Sequence, residues 1–136
     1  MHRFKSVFLA AALVAVALFD PGTLRAAASD AASAAVAHAG RGDADRKRDV
    51  TDLPAEVLRL SGIGPGMTVA DVLAGDGYYS ELLSYLVGPE GHVLLINNEA
   101  FDKFSNQAWK ERIEKQHLAN VEHRTVALDR MGLGEG

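Results

Sequence analysis

Thr68-Val69-Ala70-Asp71-Val72-Leu73-Ala74-Gly75-Asp76-Gly77-Tyr78-Tyr79 is the stretch on which the fold turns. Its first part, residues 68–73, is β-branched and apolar enough for a buried strand, and Ala74, Gly75, Asp76 and Gly77 form a flexible turn directly behind it. The period then changes. Across residues 78–87, Tyr78, Leu82, Leu83 and Leu86 fall on one helical side, and Gly88 with Pro89 ends the helix, the glycine by a left-handed cap and the proline by its missing donor. A strand therefore runs through a glycine loop into a helix.

Upstream of this unit, Leu53, Val57 and Leu60 share a helical face, Pro54 suits a first turn, and Gly62, Gly64, Pro65 and Gly66 stop the helix. Downstream, residues 93–96 are apolar without alternation, as expected of a parallel strand covered on both faces. Phe101, Phe104, Ala108 and Ile113 then form a broad apolar stripe, and Lys103, Lys110, Glu111, Arg112, Glu114 and Lys115 around it read as a wet helical face. A third strand is predicted over residues 121–128, after which Gly132, Gly134 and Gly136 leave nothing to pack. The order helix, strand, helix, strand, helix, strand describes two right-handed βαβ crossovers: an α/β fold that is an incomplete, Rossmann-like, doubly wound parallel sheet.

Composition sets the outer limits. With 136 residues, 48% hydrophobic and 24% charged, the chain has room for one core, and the absence of cysteine excludes disulfides and thiolate metal sites. A net charge of -4 without a long basic block argues against a nucleic-acid partner. His2, Arg3 and Lys5 precede an apolar run at residues 7–19, too short to span a bilayer, and Ala26 and Ala28 are the small residues a signal peptidase prefers. Residues 1–28 thus read as a secretory signal peptide with no stable membrane span after cleavage, residues 29–50 as a flexible, alanine-rich and then charged linker, and residues 51–136 as the folded domain. His92, His117 and His123 lack metal-site spacing, so no metal is expected.

In doubly wound sheets a ligand lies beyond the carboxyl ends of the strands. Gly75 and Gly77 lack Cβ atoms, so the backbone there can turn sharply and come close to a ligand, with Ala74 inside the same turn. Asp71 can accept hydrogen bonds from a cationic amino group. Asn97 ends the second strand 20 residues after Gly77, where nucleotide-binding folds keep a side chain for ribose hydroxyls, and Asn98 stands beside it. Tyr78 opens the following helix, where an aromatic serves either the core or a ligand.

Residues 69–77, an acid in the strand followed by a glycine-rich loop, resemble the first motif of class I S-adenosylmethionine-dependent methyltransferases. Over residues 52–128 the chain resembles a bacterial family of exported methyltransferases, through Gly77-Tyr78-Tyr79 followed by Ser80-Glu81-Leu82-Leu83, the Gly-Pro-x-Gly turn at 88–91, Asn97-Asn98, and Asn120-Val121-Glu122. The resemblance implies S-adenosyl-L-methionine as cofactor, an unknown methyl acceptor, a periplasmic address, and a domain cut off before its acceptor-recognising half. Its cofactor-binding residues would be Asp71, Ala74, Gly75, Gly77, Tyr78, Asn97, Asn98 and Asp129, with no catalytic residue assigned. Asn97 is neutral where most class I methyltransferases carry an acid, and two positions depart from the exported family's pattern: Asp76 replaces a common glycine, and Ala127 stands where an acid would hold the adenine edge, a role left to Asp129. The competing readings are an NAD(P)-binding oxidoreductase fragment, with Gly75, Gly77 and Ser80 approximating Gly-x-Gly-x-x-Gly, and a non-catalytic degenerate binding module.

Overall fold

A computed structural model of the chain describes residues 21–130. The apolar run at residues 7–19 and the glycines at 132, 134 and 136 lie outside them. Three helices come first, α1 (Pro21–Val36), α2 (Asp43–Asp52) and α3 (Pro54–Ser61). They are followed by β1 (Thr68–Val72), α4 (Tyr78–Val87), β2 (His92–Asn97), α5 (Glu99–Phe104), α6 (Ala108–Lys115) and β3 (Val121–Thr125), with a short 3-10 helix at Leu128–Arg130. The strands form one parallel sheet in the order β1-β2-β3, an open α/β sheet with helices. Among the described residues, β1 is an edge strand.

Register decides which side chains share a face. Val69, Val93 and Val121 lie in one row, and Asp71, Leu95 and His123 in the next. Alternation along each strand places both rows on the same side of the sheet. This is the side of α4, whose Tyr78, Leu82, Leu83, Leu86 and Val87 join Val93 in the core. The predicted apolar face of α4 is therefore the buried one, but Ser80, Glu81 and Ser84 are buried as well, so α4 has almost no wet side. Gly88 ends it with φ 68° and ψ -172°, a positive-φ extended conformation in place of the expected left-handed helical cap.

Residues 29–50 differ most from expectation. They are not a flexible linker: α1 packs on α3 and α4, and its Ala32 and Ala35 belong to the core. Alanine supplies no bulk, so its small side chains let helix backbones come close; an alanine-rich run reads as linker only while its neighbours are unknown. The charged patch becomes α2, where Asp43 and Asp45 occupy the favourable N-terminal turn and Arg48 donates to Asp52 one turn on. The expected cleavage point after Ala28 falls within α1.

α3 has the predicted bounds but turns a different face inward. Leu58 is 2% exposed and Pro54 is buried, whereas Leu53, Val57 and Leu60 are 51%, 45% and 84% exposed. Leu53 is the left-handed hinge between α2 and α3 rather than part of the helix. The single helix expected after β2 is broken in two at Asn106 and Gln107, both at positive φ. Phe104 is consequently 89% exposed.

Candidate functional site

The C-terminal end of β1 enters a turn closed by the Gly77 amide, which donates to Ala74 O at 3.0 Å. Leu73 sits at φ 59°, a left-handed conformation that costs a leucine strain and that glycine would adopt freely. Its amide donates to Ile96 O at 2.7 Å, and the Ala74 amide to the same oxygen at 3.3 Å. The two glycines are not equivalent. At Gly75, φ is +62° and a Cβ would meet nothing within 4 Å, so this backbone is open to approach. At Gly77, φ is +83° and a Cβ would lie 3.0 Å from Leu95 Cδ1 and 3.5 Å from Arg112 Cδ. Gly77 is thus required by packing, and a side chain there would strain the fold rather than test a ligand contact.

Asp71 is half-buried and accepts from Ser80 Oγ at 2.7 Å. Burial pushes its carboxyl above the usual range, against the hydrogen bonds from the Ser80 side chain and backbone. A cation close by would favour the charged form.

Asn97 is 0% exposed. Its Oδ1 accepts from the Gly75 amide at 2.9 Å, while Nδ2 donates to Gly75 O at 3.0 Å and to Asp102 Oδ1 at 2.9 Å. The amide of Asn97, expected at a ribose, is engaged inside the fold, and so are both backbone polar groups of Gly75. Tyr78 is engaged likewise. It is 2% exposed, donates its hydroxyl to Asp49 Oδ1 at 2.6 Å, and carries the Arg48 guanidinium 3.9 Å above its ring, so it belongs to the core.

The remaining expected residues lie along an open cleft of about 600 Å³ at the C-terminal ends of β2 and β3, lined by Asn98, Glu99, Ala100, Thr125, Val126, Ala127 and Asp129. Asn98 caps α5 by accepting from the Phe101 amide at 2.8 Å. Asp129 is exposed on the rim. Asp71 and the glycine loop do not line this cleft; Asn97, paired with Thr125 in the sheet and bonded to Gly75, connects the two. Glu99, an exposed carboxylate one residue beyond the asparagine pair, carries no spacing signal in the sequence, because it lies past the strand end in the first turn of α5.

Arg112 was also hidden. Within an apparently solvated charge run it is 15% exposed, and it donates through Nε to Asp76 O at 2.9 Å and through Nη2 to Asp76 Oδ2 at 3.0 Å. Its Nη1 reaches Asp45 and the buried Glu81. These acids, from α2, the loop and α4, keep the guanidinium charged despite its burial. No spacing rule could reveal them, since Asp45 and Arg112 are 67 positions apart.

A second cleft, about 550 Å³, lies at the opposite end of the strands and is lined by residues such as His38, Tyr85, His92 and Asn120. Its polar groups serve the fold, with Asn120 Nδ2 donating to Ser84 O and Gly88 O and His38 stacked on Tyr85. Among the described residues no group of three or more His, Cys, Asp or Glu could hold a metal ion, and no helix is long and apolar enough to cross a membrane.

No protein-family model and no curated protein matches the chain. Among solved structures, the chain is similar to a SAM-dependent methyltransferase from Aquifex aeolicus, with a TM-score of 0.51 and 31% sequence identity over 85% of this chain and 51% of that one. It thus spans about half the length of that structure. The three parallel strands and their helices match part of a methyltransferase Rossmann-like fold.

Proposed function

We propose that the chain is the cofactor-binding part of an S-adenosylmethionine-dependent methyltransferase, its acceptor unassigned. The observation that carries this reading is the 31% identity to a SAM-dependent methyltransferase, spread over 85% of the chain and including the sheet whose strand ends form the site. The residues present fit the cofactor in kind. Gly75 leaves open space beside the loop, Asp71 is a carboxylate that gains from a neighbouring cation, Glu99 and Asn98 offer acceptors for hydroxyls, and Val126 and Ala127 offer an apolar wall for a base. The bound sulfonium supplies an electrophilic methyl group. This chain's residues bind and orient it, and orientation is the main protein contribution to such transfers.

Glu99 takes the part the sequence reading gave to Asn97, with Asn98 and Asp129 beside it. Residues 1–28 are proposed as an export signal, with Ala32 and Ala35 in the part retained. Titration calorimetry of the full chain with S-adenosylmethionine and with NAD tests the function. Binding of the former alone is expected, and Glu99→Gln should weaken it about tenfold, the worth of about 1.4 kcal/mol of charge-assisted hydrogen bonding. A folded chain that binds NAD, or neither compound, would defeat the proposal.

A further inference from the structure

Asn97 holds the loop, but what orients Asn97 is Asp102. A carboxylate only accepts hydrogen bonds, so the Nδ2 side of the amide must face it, which directs Oδ1 to the Gly75 amide and the second Nδ2 proton to the Gly75 carbonyl. Asp102 is 8% exposed and is itself fixed by three further groups. Trp109 Nε1 donates to its Oδ1 at 3.0 Å, Thr125 Oγ1 donates to Oδ2, and His123 Nε2 faces Oδ1 at 3.1 Å. The Trp109 and His123 rings stack with centroids 3.4 Å apart, which locks both. One buried acid from α5 thereby gathers α6, β3 and the end of β2.

We propose that Asp102, acting through Asn97, is the positioning residue of the glycine loop: it turns both polar backbone groups of Gly75 inward and presets the open side of the loop before a ligand arrives. The consequence for binding rests on the methyl-donor reading above. A loop preset in this way binds without the cost of ordering, so loss of the relay lowers affinity even where the ligand touches neither Asp102 nor Asn97. Burial alone would raise the Asp102 carboxyl, but the donors Thr125, Asn97 and His123 outweigh it and hold it below the usual range, so the acceptor stays ionised near neutrality.

Asn97→Asp separates this role from a direct ligand contact. A carboxylate accepts hydrogen bonds from ribose hydroxyls more strongly than a neutral amide does, so a ligand-touching residue 97 would bind as well or better as aspartate. The relay predicts the reverse, because two carboxylates would face each other and the Gly75 carbonyl would lose its donor. At least a tenfold loss of S-adenosylmethionine affinity is expected in the full chain, and a similar loss in the isosteric Asp102→Asn, which keeps the volume if Asn97→Asp fails to fold. Amide hydrogen exchange by NMR in the ligand-free proteins reads the relay independently of any cofactor, and Gly75 should exchange at least tenfold faster in Asp102→Asn while β2 amides keep their protection. Unchanged Gly75 exchange would overturn the relay, and faster exchange with unchanged affinity would overturn its role in binding. If the unsubstituted chain binds no S-adenosylmethionine, the methyl-donor reading fails by itself, and the exchange data still decide the relay.

Discussion

The two ends of the sheet carry clefts of similar size, about 600 Å³ and about 550 Å³, yet they are built on opposite principles. At the C-terminal end the chain makes a loop with open space at Gly75 and carries buried and half-buried ion pairs nearby, Arg112 with Asp45, Asp76 and Glu81, and, against Tyr78, Arg41 with Asp49. At the N-terminal end the backbone is crowded at Gly91, whereas Gly88, which lines the same cleft, has open space beside it as Gly75 does. A Cβ on Gly91 would fall 2.5 Å from Val87 Cβ and 2.8 Å from Met67 O, and Asn120 closes the adjoining helix end with hydrogen bonds. Cleft volume therefore says little about function here. The discriminating feature is the ion-paired charge gathered beside the loop at the C-terminal end.

The largest effect that sharpens this contrast is expected from Arg112→Met. It leaves Glu81, 1% exposed, without its cation, and removing one partner of a buried pair costs about 3–5 kcal/mol. Net domain stability is only about 5–15 kcal/mol, so chemical denaturation should show a large loss, and a change too small to measure would break the claim that charge holds the loop end.

At the other end, Gly91→Ala should cost about 1–3 kcal/mol by overpacking, because the Met67 carbonyl is backbone and cannot swing away. Cofactor affinity of the folded fraction should stay unchanged. A weakened affinity would mean that the two ends communicate.

Gly75→Ala is expected to be milder in stability and stronger in binding. Its left-handed φ costs a non-glycine residue about 1–2 kcal/mol, but nothing lies within 4 Å to clash, and the new methyl group enters the open space that the proposed function assigns to the cofactor. Calorimetry should find affinity reduced about tenfold or more, while Gly77→Ala should lose stability first. Equal behaviour of the two glycines would erase the distinction drawn between them.

The smallest effect concerns pH. The Arg41 guanidinium holds the Asp49 carboxyl below its ordinary range, with burial opposing and the Tyr78 hydroxyl assisting. A depressed carboxylate contributes stability that is fully present above its unfolded pKa of about 3.9 and is lost as pH falls through the lower folded value. Asn in place of Asp49 should therefore be less stable than the parent at pH 6, and the difference should shrink below about pH 4 in thermal melts. A gap that stays constant down to pH 2 would show that Asp49 acts by shape alone.

Much of the central unit was legible. The bounds of α4 and the buried set Tyr78, Leu82, Leu83 and Leu86 follow from period, and the parallel strands follow from apolar runs separated by helices. The glycine loop was recognisable as a loop. Which glycine faces a ligand and which faces Leu95 was not, because that depends on the atoms opposite. Asn97 was placed correctly at a strand end, but spacing along a chain cannot distinguish an amide that meets solvent from one that meets Gly75 and Asp102. Residues 29–50 were misread because Ala32 and Ala35 pack only where another helix comes near, and their composition carries no sign of one.

The sequence by itself determined the order of elements, the strand-to-helix glycine turn and the acids available around it, since these depend on local conformational preference and hydrophobic period. Only the tertiary structure decided which face of α3 is buried, that Arg112 leaves its wet helix face for three acids, and that Tyr78 and Asn97 serve the fold. The physical reason is the same each time. Burial and hydrogen bonding are properties of neighbours brought together by the fold, and residues as far apart as Asp45 and Arg112 become neighbours only when the sheet and its helices are assembled.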